Sequence, residues 1–264
     1  MLSPGFVRTA IGIFGNIISF SLFLSPVPTF IRICKKGSVE QYSATTYLVT
    51  LLNCMLWAIY GLPFIHPNSI LVLTISAIGC VIELTYLLLF VIYSDSKRKK
   101  AILILSILAE ILAVGIISSL VLSLAHTTKR RAQIIGILGD VSGVVMYASP
   151  LSVMKQVIRT KSVEFMPLAV SVASLANGLV WALYAIHPFD LYVVMPNGLG
   201  FFLGLGQLTL YATYYKSTKE QLAARKEAEK VGVGLKDSIL VTVEPNKVNT
   251  LKQNGDSTPK SNCT

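Results

Sequence analysis

Long apolar runs separated by short polar connections set the pattern of this chain. A helix that crosses the hydrocarbon layer needs about 20 mostly apolar residues, at roughly 1.5 Å of rise each. Seven stretches meet that length: approximately Phe6 to Ile31, Thr45 to Ile65, Ser69 to Tyr93, Ile102 to Ala125, Ile134 to Ile158, Pro167 to Ile186 and Leu191 to Tyr215. His-Pro, Lys-Gly and clustered Lys/Arg connections divide them. The pattern predicts an all-α membrane protein of seven transmembrane helices. The first run lacks a basic leader and a small-residue cleavage site, so it is read as a retained helix. From Ser217 onward the chain turns rich in Lys, Glu, Asn and Ser, which predicts a solvated, disordered tail.

A repeat organises the seven runs. IGIFGN and IGILGD open runs 1 and 5, and an offset of 124 residues pairs Pro26 with Pro150, Ser38-Val39-Glu40 with Ser162-Val163-Glu164, Asn53 with Asn177, Trp57 with Trp181 and Tyr60 with Tyr184. Beyond run 2 the offset becomes 121, which pairs His66-Pro67 with His187-Pro188, Ser76 with Asn197 and Gly79 with Gly200. An odd unit repeated directly would point the other way through the bilayer. Helix 4 restores the direction and makes the two bundles parallel. The predicted layout is 3+1+3: residues 1–96 as the first three-helix repeat, 97–130 as linker helix 4 with its loops, 131–216 as the second repeat, and 217–264 as a cytosolic tail. Parallel repeats of this kind place a substrate site at their interface near mid-membrane.

Composition agrees with lipid as solvent: 53% of the 264 residues are hydrophobic and 14% charged, with a mean hydropathy of +0.65. The net charge of +10 sits in loop clusters rather than along one face, unlike a nucleic-acid footprint. Ten Lys/Arg after runs 1, 3 and 5 oppose Arg8, Lys129, Arg130 and Arg131 on the other side. The excess of positive charge marks the cytosolic side, which puts the N-terminus outside, the C-terminus inside and the sequon at Asn262 beyond the reach of glycosylation. Cys34, Cys54, Cys80 and Cys263 have no paired spacing and are read as free thiols. The three histidines fall at loop edges, with no metal set, cofactor motif or catalytic constellation at bilayer depth.

Asn53-x-x-x-Trp57 and Asn177-x-x-x-Trp181 set an amide and an indole on one helix face. An indole offers a flat apolar surface and an amide offers directional hydrogen bonds, the two things a sugar ring requires. Either residue alone is ordinary in a membrane helix, as an interfacial anchor or an interhelical bond; their repetition points to a pocket. Ser76 and Asn197 occupy equivalent places facing it. Ser76 is the weaker, because a lone Ser often bonds its own backbone, while Asn197 follows Pro196. Pro26, Pro28, Pro150, Pro167 and Pro196 interrupt the apolar runs and are read as hinges. Glu83, Glu110 and Asp140 lie within apolar runs, where an ionisable group is a functional candidate, and Asp140 is the one weighed for proton coupling.

FLSPVPTF, KKGSVEQYS, LLNCMLWAIYGLP, MYASPL, TKSVEFMP and PNGLG together resemble the plant SWEET sugar transporters, over nearly everything before the tail. That family is itself an example of the parallel-repeat rule used above. The resemblance implies facilitated, bidirectional movement of a sugar by alternating access, a plasma-membrane location and assembly into homo-oligomers. It assigns the pocket to Asn53, Trp57, Ser76, Asn177, Trp181 and Asn197, with Ser19, Gly143 and Met146 nearby. It gives hinges at Pro26, Pro150 and Pro167, and an outer gate at Tyr60, Tyr184 and Asp190. Several positions depart from the family pattern: Thr46 stands where a fourth hinge proline is usual, Ser76 where an Asn is, and Gly139-Asp140-Val141-Ser142 where a more apolar run is. The Asn pair and Met146 narrow the pocket, which favours glucose or another hexose over sucrose. A PQ-loop carrier would show Pro-Gln where Pro26-Val27 and Pro150-Leu151 stand, and a seven-helix receptor has no reason to repeat.

Overall fold

The computed structural model describes residues 3–40 and 42–243, with side chains through residue 229. It contains helices α1 (Pro4–Phe23), α2 (Val27–Lys36), α3 (Thr45–Tyr60), α4 (Ile70–Tyr93), α5 (Lys97–Leu124), α6 (Thr128–Met146), α7 (Ala148–Thr160), α8 (Leu168–Tyr184) and α9 (Leu191–Val243). Local chemistry sets several starts. Ser3 caps α1 by accepting from Phe6 N at 3.3 Å, with Pro4 in the first turn, where its missing N–H costs nothing. Ser96 and Thr127 cap α5 and α6 in the same way.

Two of the seven apolar runs are broken helices. The first breaks at Leu24-Ser25-Pro26, where the freed Phe23 carbonyl accepts the Tyr86 hydroxyl at 2.9 Å. The fifth breaks at Tyr147, between α6 and α7, with Pro150 in the first turn beyond. The sequence reading of the other prolines needs correction. Pro167 interrupts nothing: it is the N-cap of α8, a place where a missing N–H breaks no helical bond. Pro196 lies inside α9, which continues through it.

α3 and α8 end at Tyr60 and Tyr184, earlier than the hydrophobicity suggests. After Tyr60 the chain turns at Gly61, whose Cβ position lies 2.6 Å from the Leu73 backbone N, so any side chain there would collide with α4. The reading of residues 217–264 as a disordered tail also changes, because α9 runs on to Val243. Ala, Leu, Lys, Glu, Gln and Arg dominate this stretch, and these are the strongest helix formers. Low hydrophobicity removes a reason to bury a segment; it does not remove helix propensity. Residues 244–264, with Cys263 and the sequon, lie outside the described residues.

Six helices close a ring through the contacts α1 with α4, α4 with α3, α3 with α6, α6 with α9, α9 with α8 and α8 with α1. Exchanging α1 for α6, α3 for α8 and α4 for α9 maps this set of contacts onto itself. α5 lies outside the ring, mainly against α3 and α4, and turns Leu105, Leu112 and Leu124 outward, each about two-thirds exposed. Apolar side chains at that exposure fit an apolar surrounding such as lipid. Pro4–Lys36, Ile70–Tyr93, Lys97–Leu124, Thr128–Thr160 and Leu191–Glu229 are each long and apolar enough to cross a bilayer, while Thr45–Tyr60 and Leu168–Tyr184 are shorter apolar helices.

The repeated Ser-Val-Glu turns show how one short sequence serves both halves. Val39 seats in the apolar cluster around Phe30, Leu51, Tyr86, Leu87 and Phe90, and Val163 in the one around Val157, Met166, Leu210 and Tyr214. In each turn the Ser hydroxyl accepts from the Glu backbone N two residues on. Then they diverge. Ser38 reaches Asp95 at 2.9 Å, whereas the second turn is tied to α9 through Val163 N on Thr218 Oγ1 at 2.8 Å and Arg225 on Glu164 at 3.1 Å.

Candidate functional site

The ring encloses a cavity of about 310 Å³, a size typical of small-molecule sites. Asn53, Trp57, Gly143, Met146, Asn177 and Asn197 line it, and it extends past Leu22 and Pro150 toward Gln207. A smaller chamber of about 140 Å³ adjoins it, bounded by Trp57, Trp181, Ser76, Val72, Ile75 and Val193. Asn53, Trp57, Asn177 and Asn197 face both spaces. Of the nine residues expected at the pocket, eight line one space or the other. Ser19 lines neither, but stands directly behind the wall.

Glycines set the two indoles. Gly15 on α1 lies under Trp181, with its Cβ position 3.1 Å from Trp181 Cε2, and Gly139 on α6 lies under Trp57 at the same 3.1 Å. A methyl at either would push the ring into the cavity. Behind the rings the halves differ. The Ser19 hydroxyl donates to Asn177 Oδ1 at 2.5 Å and accepts from Trp181 Nε1 at 2.9 Å. Asn53 instead donates through Nδ2 to Ser142 Oγ at 2.7 Å and to the Gly139 carbonyl at 3.3 Å. Ser142 was not among the expected site residues. Its counterpart at offset 124 is Ile18, so the repeat gave no hint of it. The signal that could have found it is a second polar side chain, two residues from Asp140, inside an apolar run.

The pocket therefore presents both donors and acceptors. Asn53 has committed both N–H groups, to Ser142 and Gly139, and keeps its carbonyl oxygen free to accept, while Asn197 gives one N–H to the Val193 carbonyl at 2.8 Å and keeps its oxygen and a second N–H. Asn177 has committed its oxygen, which leaves its NH₂ free to donate. A polyol carries hydroxyls able to answer both. The expectation for Ser76 and Asn197 is partly reversed: Asn197 is the one bonded to its own backbone, while Ser76 makes no hydrogen bond among the described residues and faces the smaller chamber.

One end of the ring is tied shut. Tyr60, at the end of α3, donates to both oxygens of Asp190, at 2.8 and 3.0 Å. Asp190 in turn caps α9 by accepting from Tyr192 N and Val193 N. Both side chains are buried. Tyr184 reaches the Asn68 carbonyl at 3.4 Å, Arg8 donates to that carbonyl at 2.7 Å, and its guanidinium lies over the Tyr184 ring at 4.1 Å. The Tyr60–Asp190 and Tyr184–Asn68 bonds and the Arg8–Tyr184 stack join the first half to the second, and the Arg8 bond to Asn68 braces the first half beside them. His66 stacks on Tyr60 and approaches Asp190 at 3.8 Å; burial holds its pKa below the ordinary histidine value, with the Arg8 charge adding to the shift and the Asp190 charge opposing it. Arg8 and His66 were read only as a topology charge and a loop marker.

At the other end, Phe23 and Tyr147 occupy equivalent places, the first against Gly79 and the second against Gly200. Tyr147 also donates to the Pro196 carbonyl, joining the α6–α7 break to α9. Thr46, in the first turn of α3, is exposed and lines no cavity described above. Among the carboxylates in the apolar runs, Glu83 Oε2, Glu110 Oε2 and Asp140 Oδ1 are buried without a hydrogen-bond partner among the described residues. Those residues hold no cluster suited to a metal ion.

A ring of apolar helices around a polar, indole-walled cavity, tied at one end, defines a multi-pass membrane carrier rather than an enzyme. The chain belongs to the SWEET family. A family profile described as "Sugar efflux transporter for intercellular exchange" matches residues 9–98 and again 133–219. The chain is 54% identical over 247 residues to the bidirectional sugar transporter SWEET4 of Oryza sativa subsp. japonica, covering 93% of this chain and 95% of that one. It is 49% identical over 244 residues to the bidirectional sugar transporter SWEET7 of Arabidopsis thaliana, covering 92% and 94%. A solved eukaryotic SWEET transporter structure superposes with a TM-score of 0.77 at 39% identity, covering 79% of this chain and 97% of that one.

Proposed function

We propose that this protein is a facilitative, bidirectional sugar uniporter that carries glucose or another hexose between two three-helix repeats. The observation that carries the reading is the central cavity, in which two indole faces and three asparagines from both repeats converge on one space. In this reading α1, α3 and α4 form one bundle, α6, α8 and α9 the other, and α5 links them. The family profile supports that division by matching twice and skipping most of α5.

The bundles rock about the breaks at Pro26 and Pro150, with Pro167 as a further pivot at the start of α8 and no equivalent at Thr46. The tied end, with Tyr60, Tyr184 and Asp190, is the extracellular gate, since the charge pattern puts the N-terminus outside and the C-terminus in the cytosol. The cavity then extends toward the cytosol. Asn53, Asn177 and Met146 narrow its wall, which supports a hexose over sucrose. The protein resides in the plasma membrane and assembles as a homo-oligomer.

The test is uptake of labelled glucose and sucrose, separately, by cells displaying the protein, at two external pH values. Saturable glucose uptake indifferent to pH is expected. Sucrose uptake alone would overturn the hexose assignment, and failure of both sugars at normal surface expression would overturn the sugar assignment.

A further inference from the structure

The two indoles sit on the same backbone plan, yet only one of their N–H groups is claimed among the described residues. Trp181 Nε1 lies 3.3 Å from the Cβ position of Gly15, and Trp57 Nε1 lies 3.4 Å from that of Gly139. Four residues along α1 from Gly15, the Ser19 hydroxyl accepts the Trp181 N–H at 2.9 Å. Four residues along α6 from Gly139 stands Gly143, which has no side chain to offer. The Trp57 N–H makes no hydrogen bond among the described residues, and Trp57 faces both spaces of the cavity. Trp181 is 6% exposed and borders the smaller chamber.

An indole N–H is a donor with no acceptor capacity. Where the protein does not answer it, a ligand hydroxyl oxygen can. We infer that Gly143 keeps the Trp57 N–H free to donate to one hydroxyl of the transported sugar, so that Trp57 supplies a directed bond and Trp181 supplies a surface. The site thereby holds a ring in one orientation despite its near-twofold frame. The inference rests on the sugar-carrier reading and assigns Gly143 a positioning role through what it omits.

The position can be filled without distortion. A Cβ at Gly143 would lie 3.8 Å from Asn53 Nδ2 and 3.9 Å from Pro196 Cβ, which is ordinary contact. Gly143→Ser would place a hydroxyl in the same relation to Trp57 that Ser19 has to Trp181, and would claim the N–H. Gly143→Ala adds volume without an acceptor and measures the share due to filling alone.

Glucose uptake kinetics and a panel of monodeoxyglucoses as competitors test this in the full-length protein. The Ser variant is expected to raise KM about fivefold over the Ala variant, the worth of one net hydrogen bond. One deoxy position should weaken competition in the natural protein and make no difference in the Ser variant, because its partner is already occupied. Equal KM for the Ser and Ala variants, or a Ser variant that keeps the full deoxy penalty at every position, would overturn the inference. An absence of saturable glucose uptake in the natural protein would instead overturn the carrier reading on which it rests.

Discussion

Gly37 and Lys161 close the same turn in the two repeats, and both adopt the left-handed conformation, at φ 69° and 54°. Cys54 and Gly178 likewise share a register: the thiol of Cys54 fills space beside Gly79, while the Cβ position of Gly178 lies 2.6 Å from the Phe201 backbone N. At the tied end, Asp190 holds Tyr60 while its counterpart Ser69 holds His66 at 2.6 Å. The backbone plan is common to the halves, and each half fixes its joints with different residues: the first ties its break through Tyr86 on the Phe23 carbonyl and packs tightly at Gly61, while the second ties its break through Tyr147 on the Pro196 carbonyl, packs tightly at Gly178 and alone carries a carboxylate at the tied end. A duplicated frame can thus hold equivalent joints by different chemistry, and the differences show where each joint is set.

The largest effect expected from making the halves alike is at the helix crossing. Gly178→Cys copies the first repeat into a place without room, because the nearest atoms are α9 backbone. Loss of folded protein by fluorescence-detected chromatography is expected; full yield would mean that α8 and α9 separate more easily than their contact implies. Next comes the pocket wall. Trp181→Ala removes a buried indole and leaves Ser19 without its donor, and a fall in glucose transport of at least about tenfold at normal expression is expected.

Loosening the gate should matter less. Tyr60→Phe keeps the ring but removes both bonds to buried Asp190, at a cost of roughly 1–3 kcal/mol to the closed end. Greater labelling of a cysteine placed in the cavity, by an impermeant reagent added outside, measures it. Acid should act in the same direction through His66. Its pKa is lowered in the closed gate, so closure favours the neutral ring, and this contribution fades as pH falls toward the ordinary histidine value of about 6.5 and below. Labelling should therefore rise modestly on acidification and lose that rise in His66→Gln. The smallest effect is at the shared turn, where Gly37→Ala should cost about 1 kcal/mol of stability in a thermal melt, since nothing crowds the site and only φ resists.

Much of this was legible from residue order. The runs of apolar residues located the apolar helices, five of them long enough to cross a bilayer and two shorter, and the fixed offset paired Asn53 and Trp57 with Asn177 and Trp181, which line one chamber. Periodicity could not say where α3 stops, because Gly61 turns the chain for want of space against Leu73 rather than for want of hydrophobicity. Nor could it show that Asn197 spends its amide on Val193, or that Ser142, matched by an Ile in the first repeat, backs Asn53. Both depend on side-chain reach across and along helices. Composition also hid the extension of α9 through Val243: those residues are largely polar, but many are also strong helix formers. Asp140 shows a different limit. Its counterpart Asn16 bonds Thr74 at 3.0 Å, and the residue matching Thr74 is Met195, which offers no such bond.

Glucose counterflow in proteoliposomes tests the central claim most directly, because it reads exchange through one site with no net driving force. Vesicles preloaded with unlabelled glucose should transiently concentrate external labelled glucose with the natural protein and fail to do so with Trp181→Ala. Equal counterflow by both proteins would contradict passage through the cavity between the repeats, and no counterflow by the natural protein would contradict facilitated exchange itself.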